Sequence, residues 1–501
     1  MQFAVRSLSV VSVGLMASLF LSGCLRQPEK GPGGLNQEDF AKICANGFDV
    51  VDQAQDQNDY PWSMEYFVPD GKAPKDGFVY VGTWNRVQQW KGFQPNRQPA
   101  YPEIRRYRPD ASPTTWQRVL DTRNLNLDDR SRPHGFRSMK GYRNKSDGKL
   151  YLYAGGRGDT TTLWRSQTGE QGTWERFWVQ DQVGSIRGMA VHNGLLYMSY
   201  YNDYAMVDKA AGEGGAKEGD DPSAIILATD GASVWTVTND GFGNKRNVGI
   251  FTLESFNGWL YAGTHNPLQG AEVWKLEGPD PAAAPVKVID HGGPRWLNEA
   301  FMTMYVWQDH LYVGSQASFI MRMILGGLKP ADLLRIDTED HWESVAGPNS
   351  VGGEKSGFGE RSNAYIWSMC EHDGWLYAGT YDIMPGLNYM FTHPEFMLGV
   401  MGIAAESGDP EEKAFLLTSL QLAAWKSNYG GDLYKTQDGK TWYCVTADGF
   451  GNHNNYGLRN MTSAFGQLFV GLANPYDGLE VWAGGLRQYR AGDPPGDMGT
   501  E

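Results

Sequence analysis

One unit, repeated seven times, limits what this chain can fold into. An apolar strand containing Met leads to an Asn-Gly or Asp-Gly turn, then to aromatic-Leu-Tyr-small-Gly. The clearest copies are Phe256-Asn-Gly-Trp-Leu-Tyr-Ala-Gly-Thr264 and His372-Asp-Gly-Trp-Leu-Tyr-Ala-Gly-Thr380. Lys75-Asp-Gly-Phe-Val-Tyr-Val-Gly-Thr83 and His192-Asn-Gly-Leu-Leu-Tyr-Met-Ser199 follow, and three looser copies complete the set. The shared core positions are Tyr80, Tyr153, Tyr197, Tyr261, Tyr312, Tyr377 and Phe469. Asn-Gly and Asp-Gly favour the type I′ turn that joins antiparallel strands tightly, so each copy reads as a hairpin. Thr162-Leu-Trp-Arg165 and Ala271-Glu-Val-Trp-Lys275 read as third strands; Gly172-Thr-Trp-Glu-Arg176 and Thr441-Trp-Tyr-Cys-Val445 read as fourth strands. This arithmetic predicts an all-β chain, a β-propeller of about seven four-stranded blades over residues 41–490, with two stacked sandwiches as the alternative. Either Leu486–Tyr489 or an N-terminal segment such as Phe48–Val51 is expected to complete the last blade.

Thr436-Gln-Asp-Gly-Lys-Thr-Trp442 resembles the Asp-box of sialidase-like propellers, one residue short of its usual spacing, and Ala228–Trp235 is a degraded relative. The resemblance implies that Asp438 is structural, in a turn between third and fourth strands on the face away from an active site. No Arg-Ile-Pro motif and no assignable Tyr-Glu pair accompany it, so sialidase activity is not implied.

The N-terminus reads as a targeting segment. Arg6 supplies a positive start, Leu8 to Leu21 is an apolar run too short for an ordinary membrane span, and Leu21-Ser22-Gly23-Cys24 follows. That ending resembles the lipobox of bacterial lipoproteins. It implies a signal peptide over residues 1–23, a lipidated Cys24, and a membrane partner reached through lipid. Leu25 after the cysteine points, by the same resemblance, to the outer membrane of the cell envelope, on its periplasmic or surface side. Residues 24–40 are polar and rich in Pro and Gly and are expected to form a tether. Residues 491–501 are expected to be a flexible tail. With Cys24 lipidated, Cys44, Cys370 and Cys444 allow at most one disulfide.

Lys and Arg number 44 against 58 Asp and Glu, and the net charge of −14 argues against nucleic acid as a partner. Function is sought on the top face, where second-to-third and unit-to-unit connections gather the long insertions Trp84–Pro102, Tyr200–Pro222, Ser315–Pro330 and Asp382–Gly430. The last contains two helix-forming stretches, Pro394–Ala405 and Glu411–Trp425, and predicts a helical insertion in blade six.

Aligning the innermost strands on their methionines puts Trp62, Arg137, Arg187, Phe251, Met302, Trp367 and Arg459 at one equivalent position. Three arginines there form a candidate receptor for carboxylate or sulfate, and Trp62, Trp367 and Phe251 would stack on a sugar or another flat ligand. The competing reading has the arginines bracing neighbouring units. His134, three residues before Arg137, is the candidate general acid or base. Two top loops, Asp240-Gly-Phe-Gly-Asn244-Lys-Arg-Asn247 and Asp448-Gly-Phe-Gly-Asn452-His-Asn-Asn455, are candidates for Ca²⁺ or, more simply, capped turns with a Phe plug. No other cofactor is expected. Two functions stay open: a lipoprotein binding an acidic glycan or a protein partner on the top face, and an enzyme, lyase or glycoside hydrolase, acting on an acidic polysaccharide.

Overall fold

A computed structural model describes residues 28–29, 31–48, 58–84, 101–110, 115–128, 130–201, 224–278, 284–317, 329–386 and 429–485. The leader 1–23, Cys24, both helix-forming stretches, Leu486–Tyr489 and the tail 491–501 lie outside the described residues. Among those described, the chain is all-β. Two large antiparallel sheets account for the strands, and the short helical segments with assigned bounds are single 3-10 turns.

Strands pair in consecutive quartets. The first is Tyr60–Phe67, Phe78–Trp84, Glu103–Tyr107 and Gln117–Asp121. The second is Gly135–Arg143, Leu150–Gly158, Thr161–Ser166 and Glu175–Gln180. The third is Gly184–His192, Leu195–Tyr201, Ile225–Thr229 and Val234–Thr238. The fourth is Gly249–Phe256, Trp259–His265, Val273–Leu276 and Val286–Ile289. The fifth is Asn298–Trp307, His310–Ala317, Leu333–Ile336 and Trp342–Ala346. The sixth is Asn363–His372, Trp375–Asp382, Leu433–Thr436 and Tyr443–Thr446. The last is Gly457–Ala464, Gln467–Ala473 and Glu480–Gly484, completed by the N-terminal strand Phe40–Lys42.

The core lies between quartets. Phe67, Tyr80 and Ile104 pack with Phe136, Met139 and Leu152, joining the first quartet to the second. The last quartet meets the first through Phe469, Leu479 and Val481 against Met64, Val79 and Val81. Second strands are therefore buried on both faces, which explains their nearly continuous apolar sequence. The outermost strands vary: Glu175–Gln180 keeps three of its six residues exposed, whereas Tyr443–Thr446 is largely buried. The repeat's glycine admits the neighbour: a Cβ on Gly379 would lie 2.6 Å from Leu458 Cβ.

The turn ends of the quartets interlock. Tyr80 donates to Thr168 O at 3.4 Å, in the next quartet's third-to-fourth turn, and Tyr261 donates to Asp340 at 2.6 Å. A cation on five of the seven third strands accompanies the tyrosine: Arg165 donates to Gly231 O at 2.8 Å, and Lys275 pairs with Asp340. The Asp-box-like turn is of this kind. Asp438 accepts from the backbone of Lys440 at 2.8 Å and Thr441 at 2.7 Å, and Gly439 of that turn lies against the Tyr312 hydroxyl.

Two expectations need correction. Phe48 does not begin a closing strand: it has a φ of 71° and its ring lies tilted 5.0 Å from Trp116, while the closing strand lies earlier at Phe40–Lys42. Part of the expected tether is also built into the fold. Leu35 N donates to Tyr377 Oη at 2.7 Å, and Lys435 Nζ donates to Gly33 O, Leu35 O and Asn36 Oδ1 at 2.6, 2.9 and 2.9 Å. Because the last quartet takes its outer strand from the N-terminus, it has no third-to-fourth turn, and residues 33–36 occupy that docking position. A smaller difference concerns Asp76-Gly77. There the connection runs from Phe67 to Phe78 through a 3-10 turn, and Gly77 has a φ of −71°, so this Asp-Gly is not a two-residue hairpin turn.

Candidate functional site

Every first strand carries a β-bulge near its start. The register against the second strand slips across Trp62, Arg137, Phe251, Met302, Trp367 and Arg459, and across Arg187 and Gly188 in the third quartet. These are the seven positions that the methionine alignment selects. A bulge leaves one residue out of the ladder and re-aims its side chain. The next residue helps fix it in four quartets. Ser63 donates to Phe136 O at 2.8 Å, Ser138 to Ile186 O at 2.8 Å, Ser368 to Leu458 O at 2.7 Å, and Asn460 to Pro61 O. Each bond lands on the carbonyl just before the next quartet's bulged residue.

The bulged side chains meet. Trp62, Phe251, Met302 and Trp367 share one buried cluster with Tyr60, Trp84, Tyr201 and Tyr456, drawing on six of the seven quartets. Trp62 stacks on Trp84 at 4.5 Å and 14°, and Tyr60 lies 4.7 Å from Trp84 and 5.7 Å from Tyr456. The cluster sits at the connection end, because Trp84 and Tyr201 end their second strands and Tyr381 is next to last in its own.

All three arginines reach this cluster. The Arg137 guanidinium lies 4.9 Å from the Trp62 ring centre and 5.8 Å from that of Tyr201, and it donates to Ser185 Oγ at 2.8 Å. Arg187 lies 3.5 Å from the Phe251 ring centre, with Nη2 at 3.3 Å from Met302 Sδ. Arg459 lies 5.2 Å from the Trp367 ring centre. Burial, aided by the nearby Arg137 charge, pushes the Arg459 guanidinium down to about 9. Among the described residues no carboxylate pairs with Arg187 or Arg459. Among the described residues, Trp84 Nε1, Tyr456 Oη and Arg459 Nε are buried there with no hydrogen-bond partner. Arg187 and Arg459 keep partial exposure to solvent.

The sequence reading missed Arg157, which is buried and lies 5.7 Å from both the Trp62 and Trp84 ring centres. Its signal was present. Trp84, Arg157, Tyr201 and Tyr381 each stand two residues beyond the glycine or serine that ends the repeat.

His134 is next to Arg157, its backbone N–H donating to Arg157 O at 2.6 Å. Burial lowers its imidazole below the ordinary range, Asp159 opposes that shift, and Arg157 adds to it. No bond joins its ring to Arg137 among the described residues. Two turn-face histidines are structural: His192 and His372 each meet a serine of the next quartet, Ser255 and Ser463, at 2.9 Å. In the two matched loops, Asp240 accepts from Phe242 N at 3.0 Å and Asp448 from Gly451 N at 2.9 Å. Asn247 and Asn455 donate to Glu272 and Glu480 at 2.6 and 2.8 Å, and Phe242 and Phe450 stack on Trp274 and Trp482. These oxygens are thus engaged in turn formation, and among the described residues no group of three His, Cys, Asp or Glu side chains is gathered to hold a metal ion. Asp382 joins the two ends of the long insertion, accepting from Met384 N and Gly430 N at 2.8 Å each.

No family model and no curated protein matches the chain. Among solved structures, it is similar to one described as "Structural and Mechanistic Analysis of Two Prolyl Endopeptidases: Role of Inter-Domain Dynamics in Catalysis and Specificity", with a TM-score of 0.40 and 10% identity. The match covers 96% of this chain and 55% of that one.

Proposed function

We propose that the quartets are the seven blades of a closed β-propeller whose axial cluster binds an acidic glycan through its carboxylate or sulfate groups. Ring closure is supported by contacts that run from each first strand to the next and return from Gly457–Ala464 to Tyr60–Phe67. It is supported again by Asn460, which donates across the junction to Pro61 O.

The binding reading rests on one observation. Among the described residues, Arg187 and Arg459 lie on aromatic rings without a carboxylate partner, beside buried donors with no acceptor. A cation held only by rings and a thioether forgoes the charge-assisted bonds worth about 1.5–3 kcal/mol each. An anionic ligand rich in acceptors would supply those bonds, and the Trp and Tyr faces would stack on its rings. The polysaccharide-enzyme reading has less support, since among the described residues no bond ties the His134 ring to Arg137 and burial holds its imidazole below the ordinary range.

The protein is further proposed to be a lipoprotein anchored through Cys24 in the bacterial envelope, on the strength of the Leu21-Ser22-Gly23-Cys24 sequence. Cys24→Ser should release it from membranes. A panel of uronate-containing, sulfated and neutral glycans tests the ligand class. Saturable binding confined to the acidic members is expected. Equal binding of neutral glycans, or binding of none while a protein partner competes for Arg459, would overturn the glycan assignment. New unsaturated product would mark the site as a lyase instead.

A further inference from the structure

The first described residues bind one particular edge of the molecule. Glu29 N donates to Cys444 O at 2.8 Å, on the outermost strand of the sixth quartet. Gly31 lies against Lys435 and the Tyr443 ring, and Gly33 and Gly34 lie against Trp375. Trp375 and Tyr443 are the first residues of their strands, and Lys435 is next to last in Leu433–Thr436. All three therefore lie at the turn end. The axial cluster lies at the opposite, connection end, where the second strands finish at Trp84 and Tyr201.

Gly34 shows how closely this segment is fitted. Its φ is +66°, and a Cβ there would stand 2.9 Å from the Trp375 ring and from the Tyr377 hydroxyl. The run Gly31-Pro-Gly-Gly34, which reads as a flexible tether, is placed against the sixth quartet by the same bonds that hold Leu35 and Asn36.

We infer that this strap sets the protein's orientation on a lipid surface, with the lower outer edge of the sixth quartet toward the bilayer and the arginine–aromatic end directed away from it. The inference rests on the lipoprotein reading of Cys24. Between Cys24 and Glu29 there are only five peptide steps, which span at most about 18 Å when fully extended. The strands separating the two ends are seven to ten residues long in the first and second positions, which places the ends roughly 25 Å apart. A leash that short, leaving from one edge at the turn end, cannot let the connection end rest on the same membrane as readily. The binding cluster would then face ligands that arrive from the side opposite the anchoring leaflet.

The test uses the full-length lipidated protein in phosphatidylethanolamine/phosphatidylglycerol vesicles that carry an acceptor lipid. In a Cys44→Ser background, single donors are placed at Lys440→Cys on the sixth quartet's turn, Lys145→Cys on the second quartet's turn end, and Leu268→Cys on the connection end. Both lysines and Leu268 are exposed. Energy transfer to the membrane should be strongest from position 440, intermediate from 145 and weakest from 268, with at least a twofold difference between the extremes. Inserting a flexible linker of about twelve residues after Gln27 should bring the three values together. Vesicle binding with three equal values, or with position 268 nearest, overturns the orientation while leaving the anchor intact. Failure to float with vesicles, matched by an unchanged Cys24→Ser variant, overturns the anchor and the orientation with it.

Discussion

The two ends of the quartets are built from the same materials and use them differently. At the turn end, aromatic residues and cations meet and the cations are paired, although Tyr197 Oη is buried there with no hydrogen-bond partner among the described residues. Arg165 donates to Glu175 at 2.6 Å and to Gly231 O, Arg335 to Glu343 at 2.6 Å, and Lys435 to three backbone and side-chain oxygens. At the connection end, among the described residues, Arg187 and Arg459 lie on Phe251 and Trp367 without a carboxylate, and Trp84 Nε1 and Tyr456 Oη are buried without partners. A buried donor left unsatisfied costs about 1–3 kcal/mol, whereas a paired one contributes to stability. Arg and aromatic residues alone therefore say little about function. Whether their polar atoms are satisfied within the chain separates bracing from binding.

The largest effect should follow from breaking the paired end. Lys435→Met keeps much of the side-chain stem and removes all three bonds to the N-terminal strap. It should lower stability by about 3 kcal/mol, the scale of a buried charge-assisted network, and leave glycan affinity unchanged. Urea unfolding monitored by tryptophan fluorescence measures the first, and titration calorimetry the second. Loss of affinity without loss of stability would reverse the roles assigned to the two ends.

The counterpart is Arg459→Gln. Acidic-glycan affinity should fall by about 1.5–3 kcal/mol, roughly ten- to hundredfold. Stability should hold or rise, because a buried guanidinium is removed. The same residue gives a pH dependence of definite sign. With its pKa lowered to about 9, Arg459 loses its proton as pH rises through that value. Affinity should be full at pH 7 and decline above about 9. The unliganded protein should instead gain a stabilising contribution over the same range, since the unfolded chain holds that proton more tightly there. Arg459→Gln should abolish both trends, and a variant that retains them would assign the titration to another group.

Much of this was legible in the sequence, for a physical reason. The repeat's Tyr and Gly are fixed by contacts each quartet makes with the next, so they recur wherever the architecture does. The bulged position was readable because the methionine two residues on marks the register. What could not be read were consequences of packing between quartets. Arg157, Tyr201 and Tyr456 come from different strands and join one cluster only when the quartets come together. The strap was misread because Gly-Pro-Gly-Gly signals flexibility in an isolated segment, while here the left-handed Gly34 lets the chain pass close to Trp375. Phe48 was misread because an apolar residue near the terminus fits a closing strand as well as a plug, and only its φ of 71° distinguishes them.

The smallest expected effect gives the sharpest comparison, because it removes one oxygen at each end. Tyr377 Oη accepts the Leu35 N–H at 2.7 Å, so Tyr377→Phe leaves a backbone donor without its acceptor and should cost about 1 kcal/mol. Tyr456 Oη is buried with no partner among the described residues, so Tyr456→Phe removes a desolvated hydroxyl and leaves none of them unpaired. That change should alter stability by less than about 0.5 kcal/mol, in the stabilising direction if at all, since an unmet polar group is a cost in the free protein. In the presence of an acidic glycan the order should invert. Tyr456→Phe should weaken binding by about 1 kcal/mol, roughly fivefold, by deleting a donor that only the ligand satisfies, while Tyr377→Phe should bind as the wild type does. Measuring both variants by chemical unfolding and by calorimetry gives four numbers with a predicted crossing. If both tyrosines cost stability and neither affects binding, the connection end is bracing like the turn end, and the axial receptor is lost.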